Sequence, residues 1–156
     1  MPTCSGEDNV EIKKVSDNKK QFLPLLLLAD EQESMIDRYL ERGTMYVLDD
    51  DGVKAECVVT DEGNGVLEIK NIATEPRFQG RGYARALIEF AVNEYKDTFS
   101  VLQAGTGDSP LTISFYEKCG FVRHHIVKNF FIDNYNHAIF ECGKQLIDMI
   151  YLQRKI

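Results

Sequence analysis

The 156-residue sequence is poor in several features, and each shortage narrows its chemistry. Its four cysteines, Cys4, Cys57, Cys119 and Cys142, stand singly without a CxxC pair, and His124, His125 and His137 form no HExxH pattern. Common zinc sites are built on such spacings, so no metal is expected. Isolated thiols fit reduced cysteines in a cytoplasmic protein. Basic residues are in deficit, 18 Lys and Arg against 25 Asp and Glu, for a formal charge of −7. Affinity for nucleic acid comes from Lys and Arg on phosphate, so no nucleic-acid partner is expected. The longest strongly apolar run, Phe22 to Ala29, contains Pro24 and is far too short to cross a bilayer, so no membrane partner is expected either. Met1 to Asn9 is polar and acidic and reads as carrying no signal peptide. No repeat, low-complexity segment or linker interrupts the chain.

What remains is ordinary globular material, 44% hydrophobic and 28% charged. It is read as one domain over 1–156, with a core of about 10–152. Val10 to Val15 alternates as a strand. Asn18 to Leu28 reads as a helix shortened or kinked by Pro24, and Asp30 to Glu41 as a second with Met35, Ile36, Tyr39 and Leu40 on one face. Two strands follow, Met45 to Leu48 and Val53 to Val59, joined by the turn Asp49-Asp50-Asp51-Gly52, then a turn at Glu62 to Gly65 and a strand from Val66 to about Thr74. In that strand the apolar phase slips at Asn71-Ile72. A β-bulge would produce this, as would a strand end buried on both faces. Ala84, Leu87, Ile88, Ala91 and Tyr95 form one helical stripe. Phe99 to Ala104 reads as a strand, Leu111 to Lys118 as a short helix, and Phe121 to Ile132 and Ala138 to Tyr151 as the segments holding the last strands. The order is that of an α/β sandwich with a mixed sheet.

Gly80 and Gly82 stand where a strand hands over to the long helix. The first turn of a helix presents unpaired N–H groups and positive potential, and glycines leave room for an anion. Arg77, Arg81 and Arg85 add charge nearby. GxxxxGK[ST] does not occur, and neither Gly80-x-Gly82 nor Gly105-x-Gly107 completes GxGxxG, so ATP or dinucleotide binding is a weak reading. A tight turn alone would also account for two glycines.

The string Arg77-Phe78-Gln79-Gly80-Arg81-Gly82, ahead of a helix, resembles the [QR]-x-x-G-x-[GA] signature of the GNAT superfamily of N-acetyltransferases. Phe115-Tyr116-Glu117-Lys118-Cys119-Gly120-Phe121 is similar to that superfamily's aromatic-Tyr-x-x-x-Gly-Phe helix end, and the two lie in the family's order. The resemblance covers about Val10 to Leu152. It implies a mixed, mostly antiparallel sheet of about six or seven strands with a splayed central pair, flanked by about four helices. It also implies acetyl-coenzyme A as acyl donor, with its pyrophosphate on Gln79, Gly80, Arg81, Gly82, Tyr83 and Ala84. Phe78, Phe115 and Lys118 would lie beside the donor. Ile72, Ala73 and Thr74 would hydrogen-bond its pantetheine arm as an added strand in a V-shaped cleft. Asp108 stands where the family often has Asn.

The implied chemistry is transfer of an acetyl group to a primary amine of a small molecule or peptide. The ammonium must lose a proton and the departing thiolate must gain one. By the resemblance Tyr116 is the acid, and a phenol of pKa about 10 keeps its proton at neutral pH. Glu68, or a water chain, is the candidate base, and a backbone N–H near Ala73 would meet the oxyanion. The acceptor, a small molecule or peptide, would meet the first two helices and the stretch Phe130 to His137. His137 reads as an ordinary loop histidine and Cys119 as a packed thiol. The alternative from another class is a non-catalytic, coenzyme A-binding regulatory module of the same fold. Either a monomer or a homodimer paired along the last strand fits.

Overall fold

In the computed structural model of the chain, residues 10–156 are described; Met1 to Asn9, including Cys4, lie outside them. Seven strands form one sheet in the order β1-β2-β3-β4-β5-β9-β6, and β7 and β8 form a separate two-stranded hairpin. The strands are β1 (Val10–Val15), β2 (Thr44–Asp50), β3 (Val53–Asp61), β4 (Val66–Thr74), β5 (Val101–Gly107), β6 (Val122–Val127), β7 (Phe140–Glu141), β8 (Lys144–Gln145) and β9 (Met149–Lys155). Five α-helices occur among the described residues: α1 (Leu23–Ala29), α2 (Glu33–Ile36), α3 (Tyr83–Tyr95), α4 (Pro110–Lys118) and α5 (Phe130–Asn134). This is the mixed α/β fold expected from the sequence. By internal contacts the chain divides into two units, the first running to Thr60 with Lys70–Glu94, the second Asp61–Ile69 with Tyr95–Ile156.

In the first unit β1 pairs antiparallel with β2, and β2 with β3. The turn between β2 and β3 places both Asp51 (φ 57°) and Gly52 (φ 106°) in the left-handed region that a tight hairpin requires. Pro24 does not kink a long helix. A 3₁₀ turn over Lys19–Phe22 comes first, and α1 begins so that Pro24 falls in its first turn, where its missing N–H costs nothing. The second expected helix is cut to one turn: α2 ends at Ile36, and Arg38 and Tyr39 then bond three residues back, to Met35 and Ile36. Its apolar face is nevertheless in place, because Met35, Ile36, Tyr39 and Leu40 are all buried. With Leu26, Met45, Val47 and Val58, three of these (Ile36, Tyr39 and Leu40) form the core cluster of this unit. On α3, Leu87, Ile88 and Ala91 of the expected stripe are buried, Ala84 and Tyr95 are half-buried, and Tyr83 is buried in addition.

In the second unit β4 and β5 pair in parallel through four residue pairs, Val66↔Val101 to Ile69↔Ala104. Both strands continue past the last pair. The burial of β4 resolves the phase slip: Leu67, Ile69, Asn71 and Ala73 are all buried, so alternation holds and a polar residue occupies the core phase. Glu68 is buried as well, so the start of β4 is covered on both faces. Between β6 and β9 the chain makes a helix that the sequence reading took for strand, α5, and then the small β7–β8 hairpin. β9 pairs with β5 on one side and β6 on the other, so its paired residues offer no edge for the homodimer contact suggested above; β6 ends the sheet.

Candidate active site

The glycine loop lies in the first unit. After β4 a single 3₁₀ turn, Pro76–Phe78, leads to Gln79, and Gly80 (φ 84°) and Gly82 (φ 83°) then adopt left-handed backbone. Nothing lies within 4 Å of a Cβ built at either glycine. The space is open, and the backbone is one that a side chain would strain. The carbonyl of Gly82 accepts the first helical bond, from Ala86 N–H at 2.9 Å, so the N–H groups just inside α3 have no partner within the helix. Tyr83 is buried, and its hydroxyl donates to the Asp50 carboxylate at the end of β2. That bond raises the Tyr83 phenol above its ordinary value.

Three cations gather beside this loop on one aromatic ring. Lys54 Nζ lies 4.8 Å from the centroid of Phe78, Arg81 Cζ 5.0 Å and Arg77 Cζ 5.5 Å. Arg77 Nε is also paired with Glu75 Oε1 at 3.0 Å, and the charge of Lys54 and Arg81 adds to the positive end of the helix in a chain of net charge −7. Lys54 was missed in the sequence, because it comes from β3 and nothing in its local pattern separates it from a surface lysine. Its ammonium is held by the carbonyls of Asp51 at 2.7 Å and Gly52 at 3.3 Å. The arrangement can take a multiply charged anion.

Further along β4, Ile72 and Thr74 are half-buried and Ala73 is buried. All three lie past the last residue paired with β5, so that ladder does not use their backbone groups. Glu75 N–H donates to Lys54 O at 2.8 Å, closing the end of β4 against the start of β3.

The remaining candidates belong to the second unit. Tyr116, in α4, is buried with its ring edge-on to Phe115 and to Phe121, each at 5.3 Å between centroids. Phe121 N–H bonds Tyr116 O at 3.0 Å, and Gly120 at φ 90° makes the turn that brings Phe121 back onto the helix end. The aromatic-Tyr-x-x-x-Gly-Phe string is therefore a packed helix terminus. Lys118 is exposed, and Cys119 is buried as a packed thiol. Asp108 is exposed and ion-paired to Lys144 at 3.2 Å. Glu68 is not a surface carboxylate. It is 5% exposed, and its Oε1 accepts from Gln103 Nε2 at 2.7 Å, while Gln103 Oε1 accepts from Gln153 Nε2 at 2.7 Å. The stretch from Phe130 onward lines an open pocket of about 210 Å³, with Phe131, Tyr135, His137, Ile139 and Leu146 among its residues. Among the described residues no group of three or more His, Cys, Asp or Glu could hold a metal ion, and no helix is long and apolar enough to cross a membrane.

The glycine-lined mouth of α3 and the packed helix end at Tyr116 are where the two sequence motifs lie, and comparison with known proteins bears on the family. The pattern of the acetyltransferase (GNAT) domain matches residues 41–123. The chain is 33% identical over 146 residues to the uncharacterized N-acetyltransferase YvbK of Bacillus subtilis (strain 168), covering 92% of this chain and 94% of that one. A solved GNAT family acetyltransferase from Elizabethkingia anophelis, with acetyl-CoA bound, superposes with a TM-score of 0.89 at 34% identity, over 96% of this chain and 99% of that one. An IAA acetyltransferase from Bacillus cereus ATCC 14579 gives 0.86 at 34% identity, over 94% and 99%. The chain belongs to the GNAT acetyltransferase family.

Proposed function

We propose that this protein is an acetyl-CoA-dependent N-acetyltransferase of a single domain, working in the cytoplasm on a primary amine of a small molecule or peptide. The observation that carries the reading is the mouth of α3. Two left-handed glycines leave open space over unpaired amides, beside Lys54, Arg77 and Arg81. A diphosphate is the ligand such a site fits, because several N–H donors and a helix dipole act on it together. The similarity to a relative with acetyl-CoA bound supports the same donor here.

In this reading the amides of Gln79 to Ala84 hold the diphosphate, with Phe78 and its cations alongside. The backbone of Ile72, Ala73 and Thr74 accepts the pantetheine arm as a strand would, and a backbone N–H near Ala73 meets the oxyanion. Phe115 and Lys118 border the donor; Asp108, paired to Lys144, is the least committed of the contacts carried over. Tyr116 protonates the departing sulfur. Its ring is fixed by Phe115 and Phe121, so the hydroxyl is positioned at no further entropic cost. The ammonium's proton passes to Glu68, buried on β4, or along a water chain. The acceptor's organic body meets the open pocket at Phe131, Tyr135 and His137.

The test is release of coenzyme A thiol from acetyl-CoA across a panel of primary amines. Amine-dependent release supports an enzyme. Tight coenzyme A binding without turnover on any amine would instead support a regulatory module.

A further inference from the structure

The open pocket of the second unit is framed by its own main chain. Three of its lining residues, Phe131, Ile139 and Leu146, are buried as one cluster, with Phe130, Tyr135 and Met149 packed against it. The rings of Phe131 and Tyr135 are stacked, 5.5 Å between centroids with 22° between planes. Phe130 stands edge-on to Phe131, also at 5.5 Å. Two bonds join the walls, from Phe131 N–H to Ile147 O at 2.9 Å and from Leu146 N–H to Ile139 O at 2.8 Å. A third, from Asn129 N–H to the Asp148 carboxylate at 2.9 Å, pins the start of α5. A site held in this way is preformed, so little ordering is needed to fill it.

Two glycines fix where the pocket lies. A Cβ on Gly107 would stand 2.5 Å from Leu146 Cδ1, and one on Gly105 3.0 Å from Met149 Sδ. Only glycine lets these side chains rest directly on β5. Pairing with β4 ends at Ala104, so Gly105 to Gly107 belong to the stretch of β5 beyond it. α4, which carries Tyr116, leaves from the same end: Ser109 N–H bonds Gly107 O at 2.7 Å, and Thr106 Oγ1 lies 2.8 Å from Thr112 Oγ1. The pocket and the proposed general acid thus hang from one end of one strand.

What the pocket lacks decides what it can hold. None of its lining residues is Asp, Glu, Lys or Arg; its polar groups are the amides of Asn136 and Gln145, the His137 imidazole and the Tyr135 phenol. Asp133 on α5 and Glu141 on β7 do not line it, Asp148 is engaged by Asn129, and Asp108 by Lys144. A polyamine or aminosugar would find no counter-charge for its additional ammonium groups, and a carboxylate-bearing amine would find no cation. Size agrees. An apolar cavity of about 150 Å³ takes up benzene, so about 210 Å³ accommodates one ring with a short arm and no oligosaccharide.

We propose that this pocket is the acceptor subsite for an uncharged aromatic ring, and that the acceptor class is the arylalkylamine: a primary amine on a short arm that carries one ring and no second charge. The inference rests on the acetyl-transfer reading above. Stacked and edge-on ring contacts favour an aromatic body over an aliphatic one of equal area. The exposed amides of Asn136 and Gln145 suit a ring hydroxyl. Transfer to such an ammonium forms the C–N bond of a neutral acetamide, breaks the C–S bond, and yields coenzyme A thiol and one proton.

The test uses the full chain with 2-phenylethylamine as probe and methylamine, spermidine and phenylalanine as comparisons. Without donor, titration of the ¹⁵N-labelled chain with 2-phenylethylamine should shift the amides of Phe131, Tyr135, Ile139 and Leu146, and spermidine should leave them in place. With acetyl-CoA, kcat/KM for thiol release should be at least tenfold higher for 2-phenylethylamine than for any of the three comparisons, since even one methylene in an apolar pocket is worth about tenfold or more. Gln145→Glu places a carboxylate at the rim and should narrow the gap to spermidine by about fivefold, the upper scale of one exposed ion pair. Coenzyme A affinity reports whether the variant has folded. Methylamine, spermidine or phenylalanine turned over as well as 2-phenylethylamine would overturn the proposal, as would a 2-phenylethylamine titration that leaves the four amides unmoved. Failure of the transfer reading looks different: the four amides shift and coenzyme A binds, yet no amine releases thiol, and the pocket is then an aromatic-amine site without turnover.

Discussion

The hydroxyl of Tyr83 donates to the carboxylate of Asp50, tying the first residue of α3 to the last residue of β2. The residue that supplies an amide to the proposed diphosphate cradle is thus fixed by the strand two places from β4 in the sheet. Tyr83→Phe keeps the ring and loses the tie. The cradle should loosen, and coenzyme A should bind about fivefold more weakly, the scale of one ordinary hydrogen bond. Calorimetric titration with coenzyme A measures this, and circular dichroism should report the fold unchanged.

Gly80 and Gly82 separate packing from conformation. A Cβ at either meets nothing within 4 Å, yet both have φ near 84°. Gly80→Ala and Gly82→Ala should each cost about 1–2 kcal/mol through the left-handed backbone alone. Part of that cost should be relieved by relaxation of the loop, which moves the amides off the diphosphate. Thermal melts should drop modestly, while coenzyme A affinity falls by about tenfold or more, as expected where close backbone approach is the mode of binding.

Tyr116→Phe removes an oxygen and leaves both edge-on ring contacts intact. Stability and coenzyme A affinity should stay near wild type. The rate of thiol release should fall by about 10²–10⁴, the usual range for one general acid. A variant that turns over normally would reduce Tyr116 to packing.

Glu56 makes stability depend on pH. Burial raises its folded value above the 4.5 of a free carboxyl, so between those two values the folded chain holds a proton that the unfolded chain has released. Its contribution is fully present below about 4.5 and is lost as pH rises toward the folded value. Glu56→Gln carries no such loss. Its melting temperature relative to wild type should therefore rise from pH 5 to pH 8, as scanning calorimetry at several pH values would record. A constant difference would mean that Glu56 does not stay protonated on folding.

What could be read from the sequence was local in origin. The hairpin within Asp49 to Gly52, the middle of the stripe of α3 and the glycines before it depend on neighbours in the chain, and the structure has each of them. Asn71 misled because a polar residue in the buried phase of β4 looks like a slip in alternation, until Leu26 and Tyr39 supply its partners from distant segments. α5 was hidden because Phe130-Phe131-Ile132 is an apolar run that suits a strand as well as a one-turn helix. Lys54 reaches the glycine loop only through pairing of β3 with its neighbours. Glu56 differs from any strand glutamate solely in what covers it, and covering is a tertiary property.

The most direct measurement is a titration of the ¹⁵N-labelled chain with coenzyme A, followed amide by amide. The largest shifts should fall on Gly80 to Ala84, with smaller ones along Ile72 to Thr74. Shifts concentrated elsewhere, with the amides at the mouth of α3 unmoved at saturation, would contradict the account.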